Sequence, residues 1–194
     1  MEWKDGKNRC RWANPKNEKY IQYHDKEWGI PVYDDHILFE MLVLESFQAG
    51  LSWECVLNKR DAFRKAFDDF DLDTVCSYGE EKLDSLKEDP AIIRNRLKIQ
   101  AAVQNAKIFR QIQEEFGSFS DYIWHWTEGK VIYETGKAKS ALSDTVSADL
   151  KRRGMKFVGS TIIYAYMQAV GIIYSHDEDC FLACGQTGKS DKKD

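Results

Sequence analysis

Four times along this 194-residue chain an apolar run with helical spacing stops at a glycine. The first spans about His36 to Gln48, with Asp34 or Asp35 able to cap its start and Gly50 just past its end. Leu38, Met41, Leu42 and Glu45 lie near one stripe of it. The second, about Asn95 to Phe116, carries Leu97, Ala101, Ile108 and Ile112 at helical spacing and stops at Gly117. Asp144 to Arg153 stops at Gly154, and Val158 to Val170 stops at Gly171. Between them, Ser52 is expected to cap a helix reaching about Phe67, and short helices are expected at Leu72–Ser77 and Glu80–Lys87. Ser118 or Ser120 can cap another through Trp126. Residues 127–143 read as a loop in which 131–133 could pair briefly. Such punctuation predicts an all-α fold.

The length suits one domain, or two small lobes sharing a core. With no repeat or long linker, one domain is expected over 1–186, followed by a polar tail at 187–194. A net charge of −4 gives no global argument for a polyanion or a membrane, so any nucleic-acid site must be a local basic patch. The polar opening and the lack of a long apolar run predict a cytoplasmic protein without membrane contact. Five cysteines without an export signal point to reduced thiols or metal ligands.

The stretch YIQYHDKEWGIP, residues 20–31, is too polar for a core segment and too aromatic for a plain loop. Trp12, Tyr20, Tyr23, Trp28 and Trp53 flank the helix bearing Glu45. They form either a Trp-rich core or a pocket that stacks a flat ligand. Glu45, inside MLVLE, needs a partner or a ligand unless it reaches water at the helix end.

His176 and Cys180 lie one helical turn apart if that segment is helical, and Cys10 and His24 lie near the other end of the chain. Two Cys and two His would make a closed tetrahedral zinc site joining the termini. The open alternatives are a surface His with a buried free Cys, and Cys184 as a competing ligand. Arg94, Arg96 and Lys98, and Lys151–Arg153 with Lys156, are basic runs that either face solvent or meet phosphate.

At RCRWANPKNEKYIQYHDKEWGIPVYD, LFEMLVLESFQAGLSWECVLNKR, IIRNRLKIQAAVQNA, LKRRGMKFVGSTIIYAYMQAVG and SHDEDC the chain resembles the DNA-3-methyladenine glycosylase I family. The resemblance runs in order from about residue 9 to 180. It implies a two-lobed helix-hairpin-helix glycosylase that flips N3-methyladenine out of double-stranded DNA, hydrolyses its glycosidic bond and leaves an abasic site. It implies a structural zinc on Cys10, His24, His176 and Cys180. It also implies a base pocket of Trp12, Tyr20, Tyr23, Trp28, Glu45 and Trp53, and a DNA-probing pair at Gly50 and Leu51. Glu45 would be the catalytic-site acid that reads the base, and Arg94 and Arg96 would contact DNA. The protein would act as a monomer with no obligate protein partner.

One departure lies at the hairpin. Some relatives read Asp-Ala-Gly where this chain has Asp89-Pro90-Ala91, so a glycine that could approach phosphate is missing and Pro90 offers no N–H. Residues 156–176 contain no Asp or Glu, whereas other helix-hairpin-helix glycosylases place a sugar-supporting Asp after a Gly-rich turn. The resemblance therefore implies weak chemical assistance and a range limited to labile bases. Two rival readings stand beside it. The dipeptides His24-Asp25 and His176-Asp177 suit a metal phosphohydrolase of the HD type, although Cys10 and Cys180 are soft ligands that favour zinc. A zinc-stapled helical interaction module would leave Glu45 and the aromatic set without a task.

Overall fold

A computed structural model of the chain describes residue 3 and residues 5–183; the tail at 187–194 and Cys184 lie outside the described residues. The chain order is α1 (Glu18–Lys26), α2 (Asp35–Gln48), α3 (Trp53–Asn58), α4 (Arg60–Ala66), α5 (Leu72–Cys76), α6 (Glu80–Glu88), α7 (Arg96–Phe116), α8 (Phe119–His125), β1 (Ile132–Tyr133), α9 (Ala141–Arg152), α10 (Ser160–Ala169) and β2 (Ile173–Tyr174). The fold is helical, as expected, with one addition. The brief pairing expected near 131–133 is a parallel two-residue ladder, Ile132 beside Ile173 and Tyr133 beside Tyr174. None of the described helices is long and apolar enough to cross a membrane.

The caps read from sequence hold. Asp34 accepts from the N–H of Ile37, Ser52 from Cys55 and Ser118 from Asp121; Asn95, expected as the first residue of its helix, is instead the cap of α7 and accepts from Lys98. Helix α2 is buried on every side from Leu38 to Phe47, so it is the central element rather than an amphipathic one with a single stripe. It packs against α3, α7, α8 and α10.

Four expectations need correction. The helix expected from Ser52 to Phe67 is two helices, α3 and α4, broken at Lys59, where the backbone leaves helical geometry (φ −100°, ψ 1°). Leu97 is not on the buried stripe of α7; it is 67% exposed. Helix α9 begins at Ala141, because Ser140 and Ser143 form a reciprocal capping box. Residues 176–180 form a turn and not a helix.

The 29–32 segment is stitched to the end of α10. Gly29 N–H donates to the Gln168 carbonyl at 3.0 Å and Val32 N–H to Val170 at 3.1 Å. Gly171, at φ +73°, sits so close that a Cβ there would lie 2.3 Å from the Ile30 carbonyl carbon and the Pro31 nitrogen. This contact carries α1 and the residues after it onto the β2 end of the chain.

Candidate functional site

Helix α1, capped by Asn17, buries Tyr20, Tyr23 and His24. Tyr20 and Tyr23 line a cavity of about 330 Å³, together with Trp12, Trp28, Trp53 and Glu45. All six residues of the expected base pocket therefore share one cavity. Trp12 meets Trp28 edge-on with ring centres 4.8 Å apart and leans on Tyr20 at 5.2 Å. Tyr23 lies 5.3 Å from Trp53.

Three buried polar atoms on this cavity have no hydrogen-bond partner among the described residues: Glu45 Oε2, Gln48 Oε1 and Trp53 Nε1. Interiors rarely leave such groups unpaired, because each costs about 1–3 kcal/mol. Glu45 is 2% exposed, and burial alone pushes its carboxyl well above the usual carboxylate range. It does not reach water at the helix end. Burial and then the Glu45 charge push Tyr23 upward, and burial, Glu54 and Glu45 push Tyr20 up to about 12. The arrangement can take a flat, aromatic, cationic ligand bearing hydrogen-bond donors. A cation would let Glu45 ionise, and the rings offer their π faces.

Sequence reasoning missed several residues on the same cavity: Gln48, Lys137, Gln168, Ser175 and Asp177. Gln48 could have been found, since it follows Glu45 by one helical step on α2. Gln168 and Ser175 come from the far end of the chain and carry no local signal.

Behind the cavity, Cys10, His24, His176 and Cys180 are all buried, with their ligand atoms within 4.8 Å of one another. Cys10 Sγ lies 3.4 Å from His176 Nδ1. Cys180 Sγ lies 3.5 Å from His24 Nε2 and 3.6 Å from His176 Nδ1. In an ideal tetrahedron with ordinary zinc bond lengths, a sulfur–nitrogen edge measures about 3.6 Å. The donor set therefore fits a tetrahedral soft-metal ion. Burial pushes the Cys10 thiol up and brings His176 down to about 4. Two neutral imidazoles and two thiols suit a cation that would take the thiolates.

The outer contacts are in place as well. His24 Nδ1 meets Asp25 Oδ1 at 2.8 Å, Arg9 holds Asp25 through two hydrogen bonds, and the N–H of Asp177 donates to Cys10 Sγ at 3.2 Å. Asp25 and Asp177 thus stand outside the donor group, contrary to the phosphohydrolase alternative. The two sites share a wall, because the Trp28 ring meets His176 edge-on at 4.7 Å and Trp12 lies 5.2 Å from His24.

Gly50 (φ +79°) ends α2, and Leu51 stands 43% exposed beyond it. Arg94 and Arg96 are exposed at the start of α7. At the 89–91 turn the N–H of Ala91 is already taken by Asp89 Oδ1 at 2.8 Å. The other basic run is partly occupied, with Arg152 and Arg153 paired to Asp149 and Arg153 also to Glu115.

The Methyladenine glycosylase family profile matches residues 12–183. The chain is 42% identical over 179 residues to DNA-3-methyladenine glycosylase 1 of Escherichia coli, covering 89% of this chain and 95% of that protein. It is 39% identical to DNA-3-methyladenine glycosylase of Haemophilus influenzae, covering 89% and 96%. Among solved structures it resembles 3-methyladenine DNA glycosylase I at TM-score 0.86 and 39% identity, covering 90% of this chain and 98% of that one. It also resembles the Staphylococcus aureus enzyme, whose structure addresses 3-methyladenine recognition, at TM-score 0.85 and 34% identity, covering 89% and 95%.

Proposed function

The chain belongs to the methyladenine glycosylase family, and from that premise we propose how its residues do the family's work. It is a DNA-3-methyladenine glycosylase, a hydrolase of N-glycosyl bonds that excises the alkylated base in DNA repair. The observation that carries the reading is Glu45 Oε2, buried and unpartnered on an aromatic cavity near the lower end of the usual ligand-pocket range of about 300 to 1,000 Å³.

N3-methyladenine in DNA is cationic, which makes it a good leaving group. Once flipped, it stacks on the electron-rich rings. Its charge lets Glu45 give up its proton, and the carboxylate accepts a hydrogen bond from the exocyclic amino group. Gln48 and Trp53 offer one more acceptor and one donor to the base edge. Neutral adenine brings no charge to offset the desolvation of Glu45, so it binds poorly and also leaves poorly. Selectivity and rate thus come from the same charge.

Around this pocket the architecture is a two-lobed helix-hairpin-helix, with α6, the 89–95 turn and α7 as the hairpin. Gly50 and Leu51 fill the gap left by the flipped nucleotide, as apolar wedges do. Arg94 and Arg96 pair with backbone phosphates of the duplex. The side chains carry this contact, since Pro90 lacks an N–H and that of Ala91 is engaged by Asp89. Cys10, His24, His176 and Cys180 would hold zinc; four protein ligands leave no open position, so the ion supplies folding energy and no chemistry. The enzyme works as a monomer on double-stranded DNA.

The test is incubation with methylated duplex DNA and identification of the free bases released. Release of 3-methyladenine is expected, and release of no base would sink the reading.

A further inference from the structure

Lys98 sits in the first turn of α7, where a cation is out of place. Helix N-termini carry partial positive charge, and acids are favoured there. Its side chain is also 6% exposed, and charged groups are not buried without partners. The partners are two backbone carbonyls from another helix. Lys98 Nζ donates to the carbonyl of Phe47 at 2.7 Å and to that of Ala49 at 2.5 Å. These lie at the end of α2, where carbonyls run out of intrahelical donors and carry partial negative charge. The ammonium also stands over the Phe157 ring at 5.8 Å. The backbone N–H of Lys98 is itself held by the N-cap Asn95 at 3.1 Å. One residue therefore joins the start of α7, next to Arg94 and Arg96, to the end of α2, directly before Gly50 and Leu51.

We propose that Lys98 is the positioning residue of the DNA wedge: it clamps the last carbonyls of α2 so that the Gly50–Leu51 turn keeps a fixed place beside the start of α7. This rests on the reading of Leu51 as the wedge. Prying a base step apart costs a few kcal/mol. That load returns through Leu51 onto a turn made flexible by a glycine, and a compliant turn would yield before the stack does. Charge-assisted hydrogen bonds are shorter and stronger than neutral ones, which suits them to fixing the turn. Lys98 and the two residues it holds line neither the aromatic cavity nor the Cys/His group; Gln48, between those two residues, reaches the cavity through its side chain.

The experiment compares Lys98→Met, which keeps the apolar stem, with Leu51→Ala and the double variant. Two affinities are measured for each: for free 3-methyladenine, by tryptophan fluorescence, and for a duplex containing an abasic-site analogue. Lys98→Met should bind the free base as the wild type does and bind the abasic duplex roughly tenfold more weakly, the loss expected when one charge-assisted contact disappears. The double variant should bind the duplex no worse than the weaker single variant, because both changes remove one function. Three results would overturn the clamp: unchanged duplex affinity in Lys98→Met, equal losses for duplex and free base, or losses that multiply in the double variant. If Leu51→Ala binds the abasic duplex normally, the wedge assignment itself fails. If the wild type releases no 3-methyladenine from methylated DNA, the functional reading fails.

Discussion

At the scale of the residue, Glu45 holds the main tension in the molecule. Its carboxyl is raised by burial, and no charge among the described residues offsets that rise. A carboxyl whose folded pKa lies above its unfolded value weakens the fold as pH rises. Below about pH 4.3, the usual glutamate value, both states keep the proton and nothing is lost. Above it the unfolded chain ionises first, and stability falls until pH passes the folded pKa. Glu45→Gln removes this penalty. It should raise the melting temperature, by an amount that is near zero at pH 4 and grows toward pH 8. The same variant should release 3-methyladenine from DNA at least about tenfold more slowly, since a neutral amide does not answer the cationic base still joined to its sugar; affinity for the free base, which is neutral, should fall less, through the weaker hydrogen bond that an amide oxygen accepts. A stability gain that does not vary with pH would mean that Glu45 is not protonated in the free protein, and wild-type excision would remove it from the pocket. Leu51→Ala, by contrast, should change the melting temperature by no more than a degree or two, since an exposed side chain leaves no cavity behind. Glu45 was legible because an acid inside MLVLE breaks the pattern. Gln48 was missed because glutamine beside a turn is ordinary, although its place one turn after Glu45 on α2 was a signal that could have found it.

At the scale of the element, caps and glycine stops were legible because each is a local bargain between neighbouring residues and the backbone. What depended on packing was not. Nothing in Asn58-Lys59-Arg60 breaks a helix intrinsically, yet the chain breaks there. Leu97 matches the period of α7 but lies in its first turn, where its side chain stays exposed. Two side chains or backbones from distant elements set the strongest joints. Asp35, on the first turn of α2, accepts from Gln113 Nε2 at 2.7 Å and from the N–H groups of Phe119 and Ser120 at 2.8 Å each. It thereby caps α8 from another helix and ties α7 to both. Asp35→Ala should cost about 2 kcal/mol in denaturant unfolding. A change under about 0.5 kcal/mol would show that these donors find water just as well. Gly171 is the tighter joint, because a Cβ would collide with the backbone of Ile30 and Pro31 and no flexible side chain can give way. Gly171→Ala should cost on the order of 3 to 5 kcal/mol. It should also weaken 3-methyladenine binding, since the 29–32 segment carries Trp28 to the cavity; unchanged binding would mean that the segment is held in place by something other than α10.

At the scale of the whole molecule, the segment bearing Cys10 and His24 meets the segment bearing His176 and Cys180, and the cavity is built against them. The sequence showed the four residues, but their convergence was an inference from family resemblance. The segment His176–Cys180 is a turn, so helical spacing was the wrong reason for a correct grouping. What brings the two segments together is the 29–32 stitch and the N–H of Phe181, which donates to the Asn8 carbonyl at 2.8 Å, and neither has a strong local signature. This geometry makes a specific demand of metal removal. An ion bound by these four donors in the folded state alone would stabilise the fold by an amount that grows with the logarithm of its affinity. Chelation should therefore lower the melting temperature, on the order of 10 °C for a chain of this size. Because Trp28 and Trp12 rest against His176 and His24, loosening the group should also loosen the cavity wall, so affinity for 3-methyladenine should fall with the metal and return when zinc is restored. Cys180→Ser should reproduce both effects without a chelator, and zinc should not rescue it fully. The two losses must travel together. A metal-free protein that keeps its melting temperature and its base affinity yet excises nothing would place the ion in the chemistry, and a closed tetrahedral site gives it no coordination position from which to act.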